Sequence, residues 1–110
     1  MARGELLGPL EHIILLALVH LDQNAYGMTI RLEIAERTGR DISIGAVYAT
    51  LERLESKGYV TSSLGAPTAE RGGRAKRYFK IEVPGKQALK DAHEAMKQMT
   101  RGLKPGWLLR

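Results

Sequence analysis

A chain of 110 residues has room for one compact domain and little else. Hydrophobic residues at 44% and charged residues at 26% are the proportions of a globular fold, and the lack of cysteine excludes a disulfide framework and any Cys-ligated zinc site. Lys and Arg number 17 against 12 Asp and Glu, a formal charge of +5 that suits a polyanionic partner and equally suits plain solubility, so the position of the charge has to decide. The longest apolar run, Ile13 to Val19, is too short for a bilayer, which needs roughly 20 residues. Met1-Ala2-Arg3-Gly4-Glu5 lacks the charged-then-apolar order of a secretory signal, so a cytoplasmic protein with no membrane contact is expected.

Four helices and one hairpin are predicted. Gly8-Pro9 opens the first helix, with Pro just inside the start, where its missing N–H costs nothing. Leu10, Ile13, Ile14, Ala17, Leu18 and Leu21 continue as one helical face, while Leu15, Leu16 and Val19 fall off it. A helix apolar nearly all round is buried on more than one side, and in so small a domain a second subunit could supply the other side. Asp22-Gln23-Asn24 reads as a polar turn, with Asn24 capping a second helix that carries Tyr26, Ile30 and Ile34 and stops at Thr38-Gly39. Arg40-Asp41 turns the chain. Ser43 then caps a third helix, Ile42 and Val47 staple its first turn, and Val47, Tyr48, Leu51 and Leu54 form its buried face up to Gly58.

Beyond Gly58 the period shortens. Tyr59 to Leu64 is rich in β-formers, and Gly65 to Ala75 contains Gly65, Gly72, Gly73 and a Pro. Arg77 to Val83 alternates Phe79, Ile81 and Val83 against Tyr78, Lys80 and Glu82, which completes a β-hairpin with a long tip. A fourth helix begins near Val83-Pro84 and runs to about Leu103. Its apolar residues Leu89, Ala92, Met96, Met99 and Leu103 make a short heptad stripe, and Lys104-Pro105-Gly106 leaves Trp107-Leu108-Leu109-Arg110 as an apolar tail. The expected fold is mainly α with a small antiparallel β-hairpin (α+β). It comprises a winged helix-turn-helix over residues 6–82 and a C-terminal dimerisation helix with its tail over 83–110.

Gly45-Ala46-Val47-Tyr48-Ala49-Thr50-Leu51-Glu52-Arg53-Leu54-Glu55-Ser56-Lys57-Gly58 follows the pattern Gly-x-x-Tyr-x-x-Leu-x-x-Leu-x-x-x-Gly and resembles the recognition helix of the PadR family of bacterial transcriptional regulators. Gly72-Gly73-Arg74-Ala75-Lys76-Arg77-Tyr78-Phe79 resembles that family's wing, Ala25-Tyr26-Gly27 the opening of its second helix, and Leu7-Gly8-Pro9-Leu10-Glu11 its start. Two departures stand out: Glu82 occupies a place where the family commonly has Thr, and the C-terminal region is short. The resemblance implies a homodimeric DNA-binding regulator, by the family's habit a repressor, and a phosphate contact from the Tyr48 hydroxyl. It also implies a possible small-molecule effector, with Trp107 either lining its pocket at a dimer interface or anchoring the tail on a neighbouring helix.

The charge pattern points the same way. Arg71, Arg74, Lys76, Arg77 and Lys80 stand in one stretch without an acid, on a glycine-bearing tip able to approach and neutralise phosphates. The competing reading is a solvated edge strand whose cations discourage aggregation; its place directly after a helix-turn-helix favours nucleic acid. The third helix opens with small or polar residues that let it sink into a major groove, although Gly45 and Ala46 could instead serve close helix packing. Candidate DNA contacts are therefore Ser43, Gly45, Ala46, Ala49, Thr50 and Arg53 in the groove, with Arg71, Arg74 and Lys76 on phosphates. Tyr26 and Tyr48 are candidates for phosphate contact or for half-buried packing. Candidate dimer contacts are Leu10, Ile14, Leu89, Ala92, Met96, Met99, Leu103 and Trp107. His12, His20 and His93 lack ligand spacing, and no catalytic set or phosphate-binding loop is visible, so neither enzyme activity nor a metal or cofactor is expected. The function expected is a sequence-specific regulator binding double-stranded DNA at an inverted repeat. The alternative is a winged-helix protein-interaction module whose basic wing grips an acidic partner.

Overall fold

The computed structural model describes residues 5–65 and 75–109. Helices α1 (Pro9–Leu21), α2 (Gly27–Thr38) and α3 (Ile44–Ser56) are followed by strands β1 (Val60–Leu64) and β2 (Arg77–Ile81) and by helix α4 (Val83–Thr100). Single 3-10 turns lie at Asp22–Asn24 and Trp107–Leu109. This is the winged helix-turn-helix order with one added helix. None of the described helices is long and apolar enough to cross a membrane.

Pro9 starts α1 as expected, and the Gly8 N–H donates to the Glu11 carboxylate at 3.1 Å. Ile14, Leu15, Ala17 and Leu18 are buried in the chain's own core, whereas Leu16 and Val19 stay exposed. Ile14, read from the sequence as a dimer contact, is fully enclosed within its own domain and has no surface to offer a partner. Periodicity shows that α1 is apolar nearly all round; which side faces home is settled by α2, α3 and β2 packing against it.

The entry to α2 differs from expectation. Asn24 lies in the 3-10 turn, and Tyr26 occupies the N-cap position. Among the described residues no side chain caps the first-turn N–H groups of α2; instead the Thr29 hydroxyl reaches back to accept the N-cap Tyr26 N–H at 2.9 Å and donates to the Asn24 carbonyl at 2.6 Å. Gly39 ends α2 with φ 73°, a left-handed conformation that glycine adopts without a Cβ clash. Ser43 caps α3 as expected, its Oγ accepting the Ala46 N–H at 3.1 Å.

The strands pair antiparallel, with Val60 opposite Ile81, Ser62 opposite Phe79 and Leu64 opposite Arg77. The residues ahead of α2 add a minimal third strand: Tyr26 bridges to Tyr78, and the Phe79 N–H donates to the Ala25 carbonyl at 2.8 Å. This pins the hairpin to the helix-turn-helix and turns Phe79 into the core beside Val47, Leu51, Leu54 and Val60. Burying each such side chain contributes about 1.5–3 kcal/mol. The strand stops at Ile81, two residues short of the predicted alternation, and Val83 is exposed as the first residue of α4, where the fourth helix was expected to begin.

Helix α4 leaves the domain through a tight corner. A methyl at Gly85 would collide with the Tyr59 carbonyl oxygen, so only glycine permits this approach. Glu82 does not cap the helix with its side chain; its carboxylate accepts the Thr61 hydroxyl at 2.6 Å. Leu89 and Ala92 pack on the domain, and the remainder projects. The helix ends at Thr100, short of the expected Leu103, with Gly102 in the left-handed region just beyond. The radius of gyration, 16.3 Å, exceeds the ~13 Å of a compact domain of this length, as a projecting helix requires.

Candidate nucleic-acid interface

The outward side of α3 is a ridge of Gly45, Ala49, Glu52 and Ser56, all exposed and spaced one helical turn apart. Tyr48 flanks it on one side and Arg53 on the other. A Cβ built on Gly45 meets nothing within 4 Å among the described residues, so this glycine does not serve internal packing. Gly45 stands second in α3, where glycine costs less than the ~1 kcal/mol of a helix interior, and the space it leaves opens outward. Ser43 is exposed and Ala46 half-buried at the same end.

Thr50 does not belong to this surface. It is 1% exposed, its hydroxyl donating to the Ala46 carbonyl at 2.8 Å and accepting from Arg53 Nη2 at 3.1 Å. The reason is spacing, since position 50 lies between Val47 and Leu54 on the inward face. A buried threonine hydroxyl satisfies itself on the carbonyl one turn back. Arg53 is thereby steadied at one nitrogen while its side chain remains exposed.

Tyr48 is 37% exposed and tilted at 6.3 Å from the Phe79 ring. Its hydroxyl end lies over the start of α2, where a Cβ on Gly27 would come within 2.5 Å of the oxygen; Gly27 makes the room for this ring. Tyr26 meets Tyr78 edge to face at 5.4 Å. Lys76 lies 4.6 Å over the Tyr26 ring, its Nζ 3.4 Å from the Tyr26 hydroxyl. The structure thus gathers Tyr26 and Lys76 at the base of the wing, with Tyr48 and the α3 ridge alongside. Arg71 and Arg74 lie outside the described residues.

Two polar links were not expected from the sequence. Arg77 donates to Ser62 Oγ at 3.1 Å and to Glu55 Oε1 at 2.9 Å, and Ser62 in turn donates to Glu55 Oε2 at 2.9 Å. The guanidinium also lies 5.2 Å from the Phe79 ring centre. One arginine of the basic stretch is therefore matched by an acid and binds the hairpin to the last turns of α3.

The second link joins Lys57, just past α3, to Glu11 of α1 at 2.9 Å. Burial pushes the Glu11 carboxyl up, but the Lys57 hydrogen bond, the Gly8 N–H and the charges of Lys57 and Arg53 together hold it below the usual glutamate value. Lys57 is raised above the usual lysine value, chiefly by its hydrogen bond to Glu11. The only sequence trace of this link is Glu11 standing three residues after Gly8, the spacing of half a capping box.

The expected dimer residues divide. Ile14 and Ala92 are buried in their own domain, and Leu10 and Leu89 are half-buried against it. Met96, Met99, Leu103 and Trp107 lie on the surface, with Met99 76% and Trp107 44% exposed.

Residues 15–91 match the family model described as the transcriptional regulator PadR-like family. Among solved structures, a PadR family transcription regulator of Clostridium difficile is 26% identical with a TM-score of 0.64, over 86% of this chain and 88% of that one. A transcriptional regulator of Clostridium thermocellum is 25% identical with a TM-score of 0.68, over 86% and 92%. A Thermoplasma acidophilum protein with a proposed role as a transcriptional regulator shares the fold at 23% identity and a TM-score of 0.70, over 84% of each chain. No curated protein matches the chain.

Proposed function

The chain belongs to the PadR-like family of transcriptional regulators, and we propose that it acts as a homodimer gripping an inverted-repeat DNA site. In this reading residues 6–82 bind DNA and 83–110 hold the dimer together. The observation that carries it is the α3 ridge of Gly45, Ala49, Glu52 and Ser56, which is exposed, carries no large apolar side chain and is flanked by Tyr48 and Arg53. Small side chains let the helix backbone approach base edges closely. Ser43, Gly45, Ala46, Ala49 and Arg53 enter the major groove, while Lys76, Tyr26, Tyr48, Arg71 and Arg74 hold the adjacent phosphates.

Exposed apolar side chains at the end of α4 and just beyond it support the dimer. Met96, Met99, Leu103 and Trp107 form a surface that a second α4 covers. Two such subunits present their α3 helices to half-sites about one turn, ~34 Å, apart. Occupation of the site blocks transcription, a small-molecule effector releases it, and Trp107 anchors the tail on a neighbouring helix. An interaction surface for an acidic protein would place several aromatic or aliphatic anchors on α3; the ridge has none, and Tyr48 beside it leans on Phe79.

The test is selection of bound sites from a random DNA pool at two salt concentrations. A palindromic consensus whose affinity falls steeply with salt is the expected result. Binding without any motif, lost as salt rises, would reduce the interaction to electrostatic adhesion and overturn the proposal.

A further inference from the structure

Helix α3 carries two exposed-side glutamates close in sequence with different surroundings. Glu55 is engaged by Arg77 and Ser62, whereas no hydrogen bond or ion pair among the described residues uses Glu52. Glu52 stands on the outward ridge one turn beyond Ala49 and two beyond Gly45. Neither of those residues has a side chain long enough to reach past the helix backbone, so Glu52 is the first on the ridge that does. Resting on the DNA-binding reading above, we propose that Glu52 is a specificity-determining residue that accepts a hydrogen bond from the N4 amino group of a cytosine in each half-site.

The chemistry narrows the choice of base. An ionised carboxylate is an acceptor only, and every phosphate repels it, so it fits against DNA only where it meets a donor. The major groove offers amino donors on cytosine and adenine. Adenine sets its N7 acceptor beside its amino group and so opposes a carboxylate, whereas a glutamine satisfies both positions at once. Cytosine presents its amino donor without that neighbour, and Glu is its natural reader.

Site selection with the wild type, Glu52→Ala and Glu52→Gln decides the matter, and because the side chain is exposed all three should melt alike. The expected wild-type consensus fixes cytosine at one position per half-site. Glu52→Ala should lose about tenfold discrimination at that position and nowhere else. Glu52→Gln should move the preference there towards adenine. An unchanged consensus in both variants overturns the inference, as does a uniform gain in affinity without a change of base, which would make the carboxylate a mere repellent of phosphates. A wild type that selects no consensus would instead overturn the DNA-binding reading itself, and this inference with it.

Discussion

Two helices of this chain present a surface to solvent, and the surfaces are opposite in kind. Along α3 the outward positions are Gly45, Ala49, Glu52 and Ser56; the far half of α4 exposes Met96 and Met99 among polar residues such as Glu94 and Lys97, and Leu103 and Trp107 are exposed beyond its end. Water tolerates the first set and is displaced with gain from the second, at about 25 cal/mol for each Å² covered. A helix stripped of bulk lets its backbone approach a rigid, charged shape closely. One lined with methionine adapts to another irregular apolar surface. The contrast teaches that exposure alone does not name a partner, whereas the chemistry of what is exposed narrows it sharply.

The strongest test of the contrast removes the apolar side. Met96→Lys should run as a monomer on sizing, and its operator affinity should fall by about 100-fold or more, because each half-site then binds without the other. A variant that stays dimeric would detach the stripe from the interface. On the polar side, Arg74→Ala with Lys76→Ala should lower operator affinity about tenfold and flatten the salt slope by up to ~0.9 for each charge removed. An unchanged slope would take the wing off the DNA.

Glu11→Gln probes the link between α1 and the end of α3, and should cost about 1–3 kcal/mol in denaturant unfolding at pH 7. Glu11 holds its proton less tightly when folded, so its contribution is full above the ordinary value of 4.5 and is lost as pH falls through its lower folded value. Lys57 shifts the other way: its share is full below 10.5 and is lost as pH rises through its higher folded value. The gap between wild type and variant should therefore be widest across neutral pH and close at both extremes; a gap independent of pH would deny the ion pair its role. The smallest effect sharpens the comparison most. Gly45→Ala should raise stability by up to ~1 kcal/mol yet weaken operator binding several-fold, and a parallel rise in both would show that nothing approaches the ridge.

What the sequence disclosed of this structure was local. The Ser43 cap, the Val47, Leu51 and Leu54 face, the Gly39 stop and the antiparallel hairpin each depend on residues a few places apart, where period and capping chemistry act directly. Thr50 was legible by spacing and misread by type, since a hydroxyl looks like a surface group until it is seen to bond back along the helix. Leu15 and Leu16 both fall off the predicted face and could not be told apart, yet Leu15 is buried and Leu16 exposed, because in an apolar helix the choice of inward side is made by elements elsewhere in the chain. Glu11 and Lys57 lie 46 residues apart, and Glu55 and Arg77 lie 22 apart; no period connects them, and only the packed fold brings them together. Gly45, Ala49 and Lys76 follow from the sequence pattern, Glu52 and Ser56 complete the ridge without having been singled out, and the Lys76–Tyr26 pairing follows from Tyr26 bridging to Tyr78, which no capping rule announces.

The strap of Arg77, Ser62 and Glu55 has a consequence for how a duplex is read. It holds the hairpin and the last turns of α3 as one piece, so the span between them is set before any encounter. Preorganisation of this kind spares the ordering entropy that a loose wing would lose on association. It also shifts the burden of adjustment to the other molecule. A duplex whose groove width departs from that span must bend or twist to fit, and sequences differ in how readily they do so. On the proposed reading, the stiffness of base steps that no side chain touches would then show in the sites recovered by selection.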